Sequence, residues 1–275
     1  MKLGFIDYYL DEWHANNYPQ WIREASGGEL EVAFAWAKAD SPRGGLTTAE
    51  WCSRHGVTRC ETMEELIEVS DGLIVLSPDN CELHEELCQL PLRSGKPCYV
   101  DKTFAPDKAC AERIFAIASQ SGTPCWSTSA LRFADEYRDA GRELLAAAFW
   151  GPNDFETYSI HQLEPLMMLM GAPARRVMAM KAEGWYQLSV EFADGRCGSV
   201  TGYSHGSPFM SNLQYREESR LIEVKSDFFH RFILALVEFF RTGQAPVPPE
   251  ETVRIMAVRE AGLKALVQPG SWVEV

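Results

Sequence analysis

The sequence lacks the features that mark several common protein classes. Its 8 cysteines form no CxxC pair and no zinc-type spacing with histidine. A metal centre and a disulfide scaffold are therefore not expected. No apolar run approaches the roughly 18 residues that a membrane-crossing helix needs. The first dozen residues, MKLGFIDYYLDE, carry acids and do not read as an export signal. Thiols without an export signal point to the cytoplasm. Basic residues are also scarce, with 26 Lys and Arg against 39 Asp and Glu, for a net charge of −13. No basic run or aromatic–basic stripe occurs. Such a chain repels nucleic acid and anionic membranes, because binding phosphate requires cations that displace counterions.

What is present is a well-patterned globular chain. Over residues 1–128, short apolar runs alternate with amphipathic stretches. Strands are expected at 2–6, 30–36, 72–76, 97–100 and 124–127, and helices at about 82–94 and 107–120. The second helix carries Ala111, Ile114, Phe115 and Ala118 at helical spacing, with Gly122 closing it. This alternation predicts βαβ units in a parallel, doubly wound sheet. Ser77, Pro78 and Asn80 follow one strand, and Asp101 and Lys102 follow another. Ligands bind at that edge of such sheets.

Residues 129–275 read as a smaller α+β domain with an open, mainly antiparallel sheet. Helices are expected at 136–148, 161–170, 227–241 and 250–267. Two alternating runs, 186–192 and 197–203, flank Asp194-Gly195 and predict a hairpin. A last strand is expected at 272–275.

Five segments follow in order: DGLIVLSPDN with His84 after it, RSGKPCYVDKT, TPCWSTSALRF, YSIHQLEPLMMLMGAP, and the tail RTGQAPVPPEE with its final Trp-Val-Glu. Together they resemble the Gfo/Idh/MocA (glucose–fructose oxidoreductase / inositol dehydrogenase) family. Asp101-Lys102-Thr103 takes the place of the family's Glu-Lys-Pro. The resemblance implies a Rossmann domain, NAD or NADP as cofactor, and a sugar, polyol or glycoside-like alcohol as substrate. It implies that Lys102 donates to the substrate hydroxyl and that His161 is the acid–base. Thr157 stands where the family carries an aspartate one helical turn before that histidine. Homo-oligomers built on the open sheet are also implied. The chain is short for the family and compressed between Phe133 and His161, so part of the second sheet or a loop is expected to be missing.

The first strand-to-helix turn departs from that pattern. A dinucleotide fold normally has Gly-x-Gly-x-x-Gly there, so that the backbone approaches the diphosphate. Aligned on Gly4 and His14, this chain reads IDYYLDEWH, with Asp7, Tyr9 and Glu12 at the small-residue positions. One like-charge contact at ~4 Å and an effective dielectric near 20 costs about 4 kcal/mol. Trp36, rather than an acid, ends the second strand, where it would meet the adenosine; Asp40 comes later. Asp7, Asp11, Glu12 and His14 together could also hydrogen-bond a neutral sugar or hold a divalent ion. His84 reads as structural, holding its helix against the Pro78 loop. The competing expectation is thus a non-redox descendant: a carbohydrate-binding or partner subunit without a dinucleotide, or a lyase or isomerase using the acidic loop.

Overall fold

The computed structural model describes the whole chain, Met1–Val275. It divides into two compact units, one of residues 1–128 with 232–249 and one of residues 129–231 with 250–275.

In chain order the first unit holds β1 (Lys2–Asp7), α1 (Trp13–Ala25), β2 (Glu31–Ala37), α2 (Thr48–His55), β3 (Thr58–Arg59) and α3 (Met63–Val69). These are followed by β4 (Gly72–Val75), α4 (His84–Leu87), β5 (Cys98–Val100), α5 (Lys108–Ser121) and β6 (Cys125–Trp126). The six strands form one sheet in the order β3-β2-β1-β4-β5-β6, and every pairing is parallel. This is the doubly wound order, with the strand order reversing between β1 and β4. β4 is buried along its whole length, as a strand covered on both faces must be. The carboxyl ends of β1, β4 and β5 therefore bring Asp7, Ser77 and Asp101 to one edge.

The second unit holds β7 (Ala146–Pro152), α6 (Phe155–Met170), β8 (Ala174–Ala182), β9 (Trp185–Phe192), β10 (Cys197–Tyr203), β11 (Met210–Gln214) and β12 (Ser219–Glu223). After α7 (Phe228–Thr242) come α8 (Pro249–Val267) and β13 (Trp272–Glu274). Its sheet runs β12-β11-β7-β10-β9-β8-β13, antiparallel except at β7/β10. Alternate residues of β9 are buried, which fits a sheet with one covered face. Glycines permit that cover. A Cβ at Gly198 would lie 2.6 Å from Leu166 of α6, and one at Gly262 of α8 would lie 2.4 Å from Phe155.

Three expectations are corrected. The helix at 82–94 is broken into turns at 81–83 and 91–93 around a single turn of α4. Pro91 supplies no N–H and excludes a helical carbonyl one turn before it. The helix at 136–148 is instead a short turn at 135–137 followed by β7. Ala146, Ala147 and Ala148 favour helix intrinsically, but pairing on both sides, with β10 and β11, overrides that preference. Finally, residues 232–249 cluster with the first unit although they follow the second sheet. The apolar stripe of α7 explains it: Phe232 packs on Tyr18, Tyr99 and Trp126, and Phe239 packs on Trp126. The second sheet has seven strands despite the compressed stretch before His161. No helix is long and apolar enough to cross a membrane.

Candidate active site

The turn after β1 is built around Glu12. This residue is the N-cap of α1, and its carboxylate accepts hydrogen bonds from the N–H of His14 at 2.7 Å and from the N–H of Ala15. A helix's first N–H groups have no intrahelical partner, and they are the groups that bind a phosphate in dinucleotide folds. Here a side chain of the same helix takes two of them. Burial, the largest cause, raises the Glu12 pKa from 4.5 to about 7; the two N–H donors and Lys102 pull the other way.

The neighbours are acidic and buried. Asp7 is 1% exposed, its Oδ1 accepts from Tyr8 N at 2.6 Å, and its Oδ2 has no partner. Burial and then the Glu12 charge hold its pKa well above the usual carboxylate range. Tyr9 is buried beside it. Asp11, by contrast, ties down a loop: Oδ2 accepts from Leu46 N at 2.9 Å and Oδ1 from the Asn16 amide at 3.2 Å. The acids of this loop are thus committed to separate backbone and side-chain donors. No group of three or more His, Cys, Asp or Glu side chains is placed to hold a metal ion.

Asp101, one residue past β5, is the second node. Its Oδ2 lies 3.1 Å from His14 Nδ1, and its Oδ1 accepts from the Tyr99 hydroxyl at 3.2 Å. The His14 and Asp101 atoms are within ion-pair distance without the alignment of a hydrogen bond. Burial lowers the His14 pKa to about 4, with Asp101 opposing, so the ring is neutral near pH 7. Lys102, the next residue, is half-buried and begins a cis peptide bond to Thr103.

The other expected residues of this unit line the same sheet edge. Ser77 is buried at φ 81°, and its hydroxyl donates to Asn80 O at 3.3 Å across Pro78. The Asn80 amide donates to Glu82 at 2.9 Å. His84 is fully buried between Leu76 O (2.7 Å) and Phe104 O (3.0 Å), joining the loops after β4 and β5. Trp36 lines a polar cavity of about 430 Å³ past β2 and β3, with Asp40, Thr48 and Arg59.

In the second unit, His161 lies on α6. Its Nδ1 is 2.7 Å from Ser129 Oγ, and its ring packs edge-on against Tyr158 and Phe209. Thr157 does not orient it. The Thr157 hydroxyl donates to Asp154 Oδ1 at 3.0 Å, inside the cap of α6. Ser129 was not marked by its sequence context, since one serine in Ser127-Thr128-Ser129 carries no distinguishing pattern. It is held in turn by Glu164, which accepts from Ser129 N at 3.1 Å and from Arg132 Nε at 2.8 Å. Arg132 also pairs with Glu251.

Comparison with known proteins places the fold. No protein-family profile matches the chain, and no curated protein matches it. Solved structures do. A probable dehydrogenase from Thermotoga maritima superposes with a TM-score of 0.81 at 13% identity, covering 100% of this chain and 98% of that one. Myo-inositol 2-dehydrogenase from Lactobacillus plantarum gives 0.81 at 12%, covering 100% and 99%. An oxidoreductase from Agrobacterium radiobacter, solved with NAD+, L-tartaric acid and magnesium, gives 0.80 at 11%, covering 99% and 98%. The chain has the fold of these dehydrogenases, and the match spans nearly the full length of each. The expected shortening therefore removes no strand-sized part of the matched architecture.

The residues here fit a dinucleotide only in part. The cavity beside Trp36 has room and polar groups. The first turn of α1 does not fit a diphosphate as it stands, because Glu12 holds the donors and Asp7 lies behind it.

Proposed function

We propose that this chain is an oxidoreductase of the dehydrogenase fold that acts on the hydroxyl of a sugar, polyol or glycoside-like alcohol, with NAD or NADP as its implied carrier. The observation that carries the reading is the Ser129–His161 pair. It is an imidazole 2.7 Å from a buried hydroxyl, a group of the kind that moves a proton on and off an alcohol. Lys102, at a strand's carboxyl end, is assigned to donating a hydrogen bond to the substrate oxygen. The named dehydrogenases of the same fold support the class of reaction, and the inositol enzyme among them supports the class of substrate. The absence of any disulfide among the cysteines is consistent with a reducing, cytoplasmic setting. A homo-oligomer is also part of the reading, supported by Met180 and Trp272, which are exposed at 52% and 42% on neighbouring strands of the second sheet.

A second reading is favoured by Glu12: a descendant that binds a carbohydrate or a partner, or performs lyase or isomerase chemistry, without any dinucleotide. One experiment separates the two. The purified protein is offered inositols and sugars with NAD+ or NADP+, and formation of reduced cofactor is followed. Turnover that disappears in both Lys102→Ala and His161→Ala upholds the oxidoreductase. No turnover, together with no saturable cofactor binding by wild type or by a variant lacking the Glu12 side chain, upholds the second reading.

A further inference from the structure

We infer that Glu12 is an internal competitor for the dinucleotide: its carboxylate occupies the diphosphate position on α1, so cofactor binds only when that side chain leaves. This rests on the oxidoreductase reading and specifies how its cofactor site is controlled.

Geometry carries the inference. Two consecutive N–H groups at the start of α1, those of His14 and Ala15, converge on one carboxylate. That is the hydrogen-bonding demand of a phosphate oxygen pair, met from within the chain. The capping residue is a glutamate, which is not among the usual N-cap types, Ser, Thr, Asp and Asn.

A second observation comes from β1. Asp7 Oδ2 is buried with no hydrogen-bond partner, and Glu12 is the foremost charge acting on it. A buried polar atom without a partner is costly, and such atoms in native structures call for an explanation. A carboxyl that keeps its proton can donate from Oδ2 to an incoming oxygen once the Glu12 carboxylate has gone. A third observation is a cavity of about 430 Å³ past β2 and β3, lined by Trp36, Asp40 and Arg59, that is not filled by side chains.

The competitor is held loosely enough to be displaced. Glu12 makes no ion pair with Lys102, and its contact with His14 Nδ1, at 3.5 Å, is to a neutral ring. A diphosphate that replaces it offers the same two N–H groups a stronger acceptor and places its charge near Lys102. The groups that interact with Glu12 are Asp7 on β1, Tyr9 in the turn, His14 and Tyr18 on α1, Asp79 past β4 and Lys102 past β5. All but Lys102 are acidic or neutral.

The test is direct binding rather than turnover. NADH is titrated into wild type, Glu12→Gly and Glu12→Gln, following quenching of tryptophan fluorescence; Trp13, half-exposed beside the turn, is a local reporter. Glycine at this position, with φ −135° and ψ 169°, keeps the backbone course, and circular dichroism checks that each variant is folded. Glu12→Gly is expected to bind NADH at least tenfold more tightly than wild type, with Glu12→Gln between them. Inorganic pyrophosphate should compete with NADH in Glu12→Gly. Equal affinity in wild type and Glu12→Gly overturns the inference and leaves the oxidoreductase reading standing. No saturable binding in any of the three overturns both.

Discussion

His14 Nδ1 and Asp101 Oδ2 lie 3.1 Å apart, joining the first turn of α1 to the end of β5 where Lys102 begins. Asp101 is 1% exposed and also receives the hydroxyl of Tyr99, while Tyr18 contacts it from α1. This one carboxylate therefore satisfies polar groups from two elements. Replacing Asp101 by Ala removes the acceptor that faces Tyr18 and His14, while Tyr99 keeps Thr128 O at 3.1 Å, and should cost about 2 kcal/mol of stability. Asp101→Asn keeps an oxygen in place and should cost about half as much. Urea unfolding of the two variants checks the order. Equal loss would mean that the retained oxygen and volume contribute nothing and that the charge of Asp101 carries the effect.

Glu12 makes stability depend on pH in a predictable direction. Its pKa rises from 4.5 to about 7 on folding, so the folded state holds the proton more tightly. The stabilisation this gives is complete below pH 4.5 and disappears as pH rises to 7, amounting to about 3 kcal/mol. His14 acts oppositely. With its pKa lowered to about 4, its contribution is present above pH 6.5 and disappears as pH falls. The two slopes offset each other in wild type between pH 4.5 and 6.5. Glu12→Gln removes one of them. Its unfolding free energy should rise relative to wild type as pH increases from 4.5 to 7, by about 3 kcal/mol. A constant difference between the two proteins across that window would contradict the assignment.

The same turn shows what the sequence makes legible. The replaced glycines stand out at Asp7, Tyr9 and Glu12, because glycine has a backbone role that no other residue copies. That Glu12 would itself cap the helix was not legible, since glutamate is an uncommon N-cap and its contacts depend on side-chain torsions. The β9–β10 hairpin was readable from strict alternation around Asp194-Gly195, and α5 and α7 from their apolar stripes. β7 was not, because its alanine run is chosen by neighbouring strands rather than by local preference. β8, β11 and β12 were also missed; β8 and β12 carry exposed, charged residues that blur the alternation. Lys102 and His161 are proposals that rest on motif order. The Ser129–His161 contact is not legible in the sequence, because its two residues lie far apart in it and only folding brings them together.

Arg132 anchors the second unit's polar core. Its side chain is 9% exposed, between Glu164 at 3% and Glu251 at 26%. Removing one member of a buried ionic group strands the others, which typically costs about 3–5 kcal/mol. Arg132→Met should therefore lower stability by about that amount, and Glu164→Gln should fall in the same range or slightly below. Replacing Arg132 and Glu164 together by apolar residues should recover part of the loss, because the most deeply buried carboxylate goes with its partner, while Glu251, 26% exposed, keeps contact with solvent. Thermal unfolding of the single and double variants gives the coupling. Additive losses would show that the groups act independently.

Lys102 should be needed for turnover without being needed for folding. It is half-buried, and its charge acts on Glu12 and His14. Lys102→Ala should leave the unfolding free energy within about 1 kcal/mol of wild type. Turnover of any alcohol substrate should fall at least ~100-fold, a loss typical for removing a donor to developing charge. Retention of activity in a folded Lys102→Ala protein removes the residue from the site.

Ser129 should act on the reaction through His161. Its Oγ lies 2.7 Å from His161 Nδ1 and also accepts from Leu131 N at 3.4 Å, so the hydroxyl is itself held in place. Without it, the ring loses the anchor that fixes its plane. Ser129→Ala should lower kcat by ~10-fold with KM little changed, against a loss of ~100-fold or more for His161→Ala. Ser129→Thr, which keeps the hydroxyl, should restore kcat. A purely structural serine would lower stability in the alanine variant but leave kcat and KM where they were.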